Sequence, residues 1–263
     1  MFRHGGAAPL ASVALAVAVL LAWQYLPPLF GVPKYIIPSI TDLCRTMARM
    51  WTEDNLLTHF ISTASMSVLG FLLGSLLGAV VGYILGLLPM WERVLSPYIL
   101  ALQIAPKVAF APLFILWFGF NSLPKLVVTI LIVFFPILVN VLQAMRVMDR
   151  DLINLARAYN MSRSKIFWKV MFPFSMPNLM AGLRIGATLA VIGITVGEMV
   201  GGETGLGYLI SFGQGQADTA MVFDAIALLT IIGIVMYWIV TVVERRVLHY
   251  VPKSFDIPLT AQS

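Results

Sequence analysis

The chain has 263 residues, 60% of them hydrophobic and 11% charged, and a mean hydropathy of +0.92. Soluble domains carry roughly 25% charged residues, so the composition excludes a soluble globular protein and indicates an integral membrane protein with little soluble mass. The net charge of +5 is then read as membrane topology rather than as a nucleic-acid footprint. The single cysteine, Cys44, excludes an intrachain disulfide and a thiolate metal cluster. His4, His59 and His249 are scattered along the chain, so no metal site is expected.

In chain order, residues 9–25 form a nearly unbroken apolar run behind Arg3 and His4. The run continues into Trp23-Gln24-Tyr25-Leu26-Pro27-Pro28 without a small-residue cleavage site. It therefore predicts a first membrane helix entering from the cytoplasm rather than a cleaved signal peptide. Residues 26–55 are polar enough to lie outside the membrane. Within them the Pro38-Ser39 step opens an amphipathic stretch over 40–51, predicted to be a surface helix on the outer side.

Residues 59–88 hold the second membrane helix. Gly70, Gly74, Gly78, Gly82 and Gly86 recur in it every fourth residue, a spacing that leaves a groove for another helix backbone. After a turn over 89–97, residues 98–119 predict a third membrane segment containing Gln103, Pro106, Lys107 and Pro112. Prolines at that depth free backbone carbonyls, which is tolerated where protein or a water-filled cavity satisfies them. Lys107 either borders a translocation path or snorkels to the cytoplasmic surface. As residues four apart on one helix, Gln103 and Lys107 would share a face.

An outer turn over 121–125 leads to a fourth helix over 126–144. A fifth helix spans 179–200 and carries Thr188, Thr195 and Glu198, read with Gln103 and Lys107 as candidate pathway residues. Glu198 is also expected to bond backbone amides of the glycine-rich outer segment 201–221 that follows. A sixth helix spans 222–243 and ends on Glu244-Arg245-Arg246. Six spans place both termini inside, and the cations agree with that. Arg93, Arg146, Arg150, Arg245, Arg246 and Lys253 fall on the cytoplasmic side, against Lys34, Arg45, Arg49 and Lys125 outside.

Between the fourth and fifth helices lies a long charged run flanked by very apolar segments, residues 151–184, nearly all of whose charge is positive, with Arg157, Arg163, Lys165 and Lys169. Leu152, Leu155, Ala156 and Tyr159 recur at helical spacing, as do Ile166, Phe167, Val170 and Met171. Asn160 tolerates the left-handed conformation that ends a helix, and Ser162 can cap the next one. Pro173 and Pro177 are expected to stop the second helix. The prediction is a compact helix–turn–helix at the membrane surface with apolar side chains left to bury.

This stretch resembles the coupling loop of permease subunits in bacterial ABC importers. Asn154-Leu155-Ala156 stands where that family has Glu-Ala-Ala, Asn160 where it has Gly, and Phe172-Pro173 where it has Leu-Pro. The acidic residue and the glycine are replaced. Three further stretches are similar to the nitrate, taurine and alkanesulfonate branch: Ile104-Ala105-Pro106-Lys107 through Gly119, Phe134-Phe135-Pro136-Ile137-Leu138, and Gly205-Leu206-Gly207-Tyr208-Leu209-Ile210.

The resemblance implies an all-α polytopic fold of about six membrane helices, with the five-helix core of a type I importer permease. It divides the chain into residues 1–57, a core at 58–246 with the coupling loop at 146–173, and a tail at 247–263. The implied partners are cytoplasmic ATP-binding cassette subunits, a periplasmic solute-binding protein and a second permease copy. Asn154, Leu155, Ala156, Arg157, Tyr159, Asn160, Ser162 and Lys165 would then couple to the ATPase, and Gly70, Gly74, Gly78 and Gly82 would pack helices. No GxxxxGK[ST] motif occurs in the chain, so ATP and magnesium are expected in the partner and no cofactor or catalytic residue in this chain. The substrate class extends from sulfonate, taurine or nitrate to vitamin-precursor heterocycles. The competing class is a secondary transporter or channel, which would pair ionisable groups within the membrane. Lys107 and Glu198 are its clear candidates, at different depths.

Overall fold

A computed structural model describes residues 7–250, and every regular element among them is helical. Arg3, His4 and Lys253 lie outside these residues, as does most of the 247–263 tail. Five helices among the described residues are long and apolar enough to cross a membrane, or six if one broken pair counts as a single span. Among the described residues the chain divides into two compact units, one up to residue 66 with 111–126 and 194–232, the other of 67–110 with 127–193 and those from 233 on.

In the first unit, α1 (Ala7–Leu29) is apolar all round and ends where Gly31 takes φ +69°. The Gly31 and Val32 amides turn back onto the carbonyls of Pro28 and Pro27 at 3.1 and 2.9 Å, a left-handed helix cap that glycine adopts without Cβ strain. The helix α2 (Ile40–Thr52) starts from a reciprocal cap. Ser39 Oγ accepts from the Asp42 amide, and the Asp42 carboxylate accepts from the Ser39 amide. The Ser39 hydroxyl, with Lys34 at 3.0 Å, holds the Asp42 carboxyl below its ordinary range.

Both helices are fastened to the start of α11 (Thr219–Val247). The Trp23 ring meets Phe223 edge-on at 5.5 Å, and its indole N–H donates to the Pro38 carbonyl at 3.0 Å. Arg49 pairs with Asp218. Burial pushes the Asp218 carboxyl up, but the Arg49 hydrogen bond and charge, together with the Met221 and Ala220 amides, outweigh it and leave the group below its ordinary range. The glycine-rich stretch expected as an outer loop contains a packed helix, α10 (Leu206–Gly215), with Leu206, Leu209 and Ile210 buried. Lys125, expected in an exposed turn, lies in the first turn of α6 (Ser122–Val147) and is only 6% exposed. That helix starts early because Asn121 Oδ1 accepts from the Leu123 amide at 2.7 Å, and because Pro124 sits where a helix needs no N–H.

In the second unit, the glycine row of α3 (Leu56–Leu87) lies directly on α6. A Cβ at Gly74 would come within 2.8 Å of Val133, at Gly78 within 2.6 Å of the Phe134 carbonyl, and at Gly82 within 2.9 Å of Val141. Gly70 is buried as well. On another side of α6, Gly182 and Gly186 of α9 (Phe172–Gly201) approach Ile137, Asn140 and Val133. Val133, Ile137, Leu138 and Val141 of α6 are accordingly among the most buried side chains of the chain. Backbones this close replace the missing hydrophobic drive between helices in lipid with dispersion contact.

The third membrane segment is not one helix. Its first part, α4 (Pro89–Ile104), stops at Ala105, whose ψ of 137° is extended, as expected for a residue before Pro106. A 3-10 turn over Lys107–Phe110 follows, then α5 (Ala111–Phe118). The stop expected at Pro173 and Pro177 is also absent, since both lie within the opening turns of α9. One turn of π-helix, Phe167–Met171, precedes α9, and in it the Phe172 amide bonds the Phe167 carbonyl. That wider turn takes up the backbone mismatch that Pro173 creates, so the helix runs on.

Candidate functional site

The charged element between α6 and α9 lies wholly in the second unit. Its first helix, α7 (Arg150–Ala158), is capped by the Asp149 side chain on the Asp151 amide. It ends with Asn160 at φ +55°. The Met161 amide returns to the Ala156 carbonyl at 3.1 Å and the Asn160 amide to Arg157 at 2.8 Å, the paired bonds of a left-handed C-cap. Asparagine thus holds the conformation that glycine would adopt more freely. Ser162 then caps the short α8 (Arg163–Ile166) by accepting from the Lys165 amide at 3.4 Å.

The element has two faces. Ala156 and Ile166 are buried, Ala156 at 6% exposure. Leu155 at 56% and Tyr159 at 76% stand out from the protein, with Leu152 and Trp168 also exposed. Ala156 therefore cannot belong to an open docking face. Its side chain packs inside the chain, while its carbonyl accepts the Met161 amide that closes the cap. Asn154, Arg157, Asn160, Ser162 and Lys165 are exposed and free of that constraint. At the foot of α6, Arg146 pairs with Glu92 and donates to Ser96 Oγ at 3.1 Å, fastening α6 to α4.

Lys107 does not share a helix face with Gln103, because the chain breaks between them. With the helix ended, the Gln103 carbonyl has lost its backbone partner, and the Lys107 ammonium takes its place at 2.6 Å. The ammonium also lies 3.4 Å from the Ala105 carbonyl and 4.7 Å above the Phe135 ring. A cation at a helix C-terminus over an aromatic face is a favourable cap. The Gln103 side chain is exposed. Lys107→Met is expected to lower thermal stability by about 1–2 kcal/mol through loss of this cap, with Lys107→Arg milder. A melting curve of the purified protein indistinguishable from that of the parent would contradict the capping role.

In the first unit, Glu198 is 1% exposed and closes the N-terminus of α10 together with two residues the sequence did not single out for it. Three successive amides each find a side chain. Gly205 donates to His59 Nδ1 at 2.9 Å, Leu206 to Thr63 Oγ1 at 2.8 Å, and Gly207 to Glu198 Oε2 at 3.0 Å. The Thr63 hydroxyl in turn donates to the Glu198 carboxylate at 2.9 Å. His59 and Thr63 are four apart on α3, which puts them on one face, and that spacing was the available signal. An anionic group at a helix N-terminus is stabilised there. Glu198 is thus enclosed and does not line an open path within its unit. Thr195 is half-buried beside Gly207, while Thr188 is exposed and bonds back to the Ile185 carbonyl at 2.9 Å.

Several long apolar helices, one broken at a proline, and a capped charged element between two of them define a polytopic helical membrane protein. A family model described as binding-protein-dependent transport system inner membrane component matches residues 70–249, and the chain belongs to that family. The riboflavin transport system permease protein RibX of Chloroflexus aurantiacus is 39% identical over 88% of this chain and 87% of its own length. The formylaminopyrimidine transport permease protein ThiX of Halalkalibacterium halodurans is 32% identical over 90% of this chain and 94% of its own. The putative aliphatic sulfonates transport permease protein SsuC of Bacillus subtilis is 29% identical over 90% and 86%. The fold is that of a solved chain of the MetNI methionine ABC transporter, with TM-score 0.62 and 19% identity over 74% of this chain and 99% of that one. The protein is a multi-pass inner-membrane permease subunit of an ABC importer.

Proposed function

We propose that the chain carries a small heterocycle of the vitamin or vitamin-precursor type, delivered by a solute-binding protein, and that residues 150–166 couple it to a separate ATPase subunit. The observation behind the coupling is the exposed apolar row of Leu152, Leu155 and Tyr159 on a short helix that is capped at both ends. A rigid element with unburied apolar side chains suits transmission of motion from a partner, and a slack loop does not. In this reading ATP and magnesium belong to the partner. The positive face of the chain, with both termini, lies in the cytoplasm, and two copies form the pathway, the remaining exposed apolar surface of the helices meeting lipid.

Leu155→Glu places a charge in the docking contact and should cut copurification of the ATPase at least about tenfold, as a buried unpaired charge costs several kcal/mol. Membrane insertion should be unchanged. Undiminished copurification would remove these residues from the contact. Ala156 is unsuited to the experiment because it packs inside the chain.

Two observations favour a heterocycle over an anion. Lys107, the residue that suggested an anion, has its ammonium committed to backbone carbonyls. The relatives named for riboflavin and formylaminopyrimidine transport are 39% and 32% identical. The second reading is a sulfonate, favoured by two relatives named for aliphatic sulfonate transport at 29% and 32% identity, so that of the relatives weighed here the riboflavin one at 39% stands above them. Proteoliposomes holding the permease, its ATPase and its binding protein should accumulate labelled riboflavin or formylaminopyrimidine at least about tenfold over taurine, a difference of about 1.4 kcal/mol. Equal or preferential uptake of taurine would reverse the assignment.

A further inference from the structure

The joint between the coupling element and α9 contains two prolines, and each leaves the backbone one donor short. The π-turn at Phe167–Met171 accommodates the first. The second, Pro177, has no N–H to offer the carbonyl of Pro173 one turn earlier. A side chain three residues beyond α11 takes that place, the Tyr250 hydroxyl donating to the Pro173 carbonyl at 2.6 Å. Close by, Ser175 Oγ donates to the Phe172 carbonyl at 3.0 Å and lies 2.8 Å from the hydroxyl of buried Tyr83. The Tyr83 ring meets Phe167 edge-on at 5.4 Å. The joint over residues 167–177 is therefore held by side chains where its own backbone pairing is incomplete. A further tie joins α9 to α11 itself, an ion pair between Arg184 and Glu244 at 3.3 Å.

We infer that Tyr250 is a positioning residue for coupling: by supplying the donor that Pro177 lacks, it stiffens the joint so that movement of residues 150–166 is carried into α9. The inference rests on the coupling role proposed above for those residues. Helices bend where a proline removes a backbone bond. With the carbonyl of Pro173 unmet, motion of the element would be absorbed at Pro177 and would not reach the membrane helix. The role belongs to the hydroxyl and not to the ring, and it becomes redundant if residue 177 regains an N–H.

The experiment compares the parent with Tyr250→Phe, Pro177→Ala and the double variant. Amide hydrogen exchange over residues 174–184 of the purified permease should quicken about fivefold in Tyr250→Phe, the effect of losing one hydrogen bond, and return to the parent rate in the double variant. In the permease–ATPase complex, hydrolysis of ATP without any transported solute should rise about threefold in Tyr250→Phe, since the ATPase no longer has to move α9, and fall back in the double variant. Unchanged exchange in Tyr250→Phe overturns the bond. Quickened exchange with unchanged hydrolysis overturns the positioning role, and so does a double variant no better than Tyr250→Phe. A parent permease that binds no ATPase would defeat the coupling reading itself, and the inference with it, while the exchange data would still report on the joint.

Discussion

Gly205→Ala is expected to prevent the protein from reaching a stable fold. Gly205 has φ +116° and ψ 168°, a region open essentially to glycine, where other residues cost about 1–3 kcal/mol. Space is the larger obstacle. A Cβ there would fall inside the Glu198 carboxylate, which cannot retreat without releasing the Thr63 hydroxyl and the Gly207 amide. Each buried polar group left unpaired adds about 1–3 kcal/mol. Together these come to about 3–9 kcal/mol, comparable with the whole stability of a typical domain. The expected result is loss of the monodisperse species in detergent. Gly215→Ala is the control, because nothing lies within 4 Å of its added Cβ. Glu198→Gln should be milder than Gly205→Ala, since the amide oxygen still accepts one bond. A Gly205→Ala protein that melts with the parent would show that Glu198 is not seated against this turn.

The second large effect is at Gly78. Its added Cβ would meet the Phe134 carbonyl at 2.6 Å and Ile137 Cβ at 3.2 Å. Main chain cannot rotate away as a side chain can, so α3 and α6 must separate. Gly78→Ala should cost about 1–3 kcal/mol by overpacking, and Gly78→Leu more. The row should also be graded. At Gly86 the obstacle is Met145 Cγ at 2.7 Å, part of an unbranched side chain that can move, so Gly86→Ala should be mildest. Thermal melts of the four alanine variants at Gly74, Gly78, Gly82 and Gly86 would read the order. Equal stability of Gly78→Ala and parent would remove α6 from that groove.

Both positions show how far a sequence reading extends. The glycine row was legible because its period of four is a property of one helix, and so was the membrane class, which depends on composition. The charged element was legible because helix caps are local: Asn160 and Ser162 act on amides within a few residues of themselves. The break before Pro106 was not read from the sequence, which placed Gln103 and Lys107 on one helix face, although the residue before a proline is disfavoured in a helix.

What the sequence left open were pairings between distant residues. Lys107 and Glu198 stood out as costly charges in apolar segments, and that cost suggested a pathway. The tertiary structure gives Lys107 a freed carbonyl and an aromatic ring, and gives Glu198 a backbone amide at the N-terminus of α10, the kind of bond expected for it from the glycine-rich segment. A charge in a low-dielectric setting needs a partner, but sequence does not say whether that partner is a solute or the protein's own backbone. Pro173 and Pro177 are a similar case. Alone, each signals a helix stop, yet α9 continues through both because a π-turn and the Tyr250 hydroxyl, 77 residues from Pro173, make good the missing bonds. The sequence by itself determined the class, most of the long apolar helices and the caps at Ser39, Asn160 and Ser162, since these depend on near neighbours. Only the tertiary structure decided which buried polar groups are satisfied internally, because their partners lie on other helices.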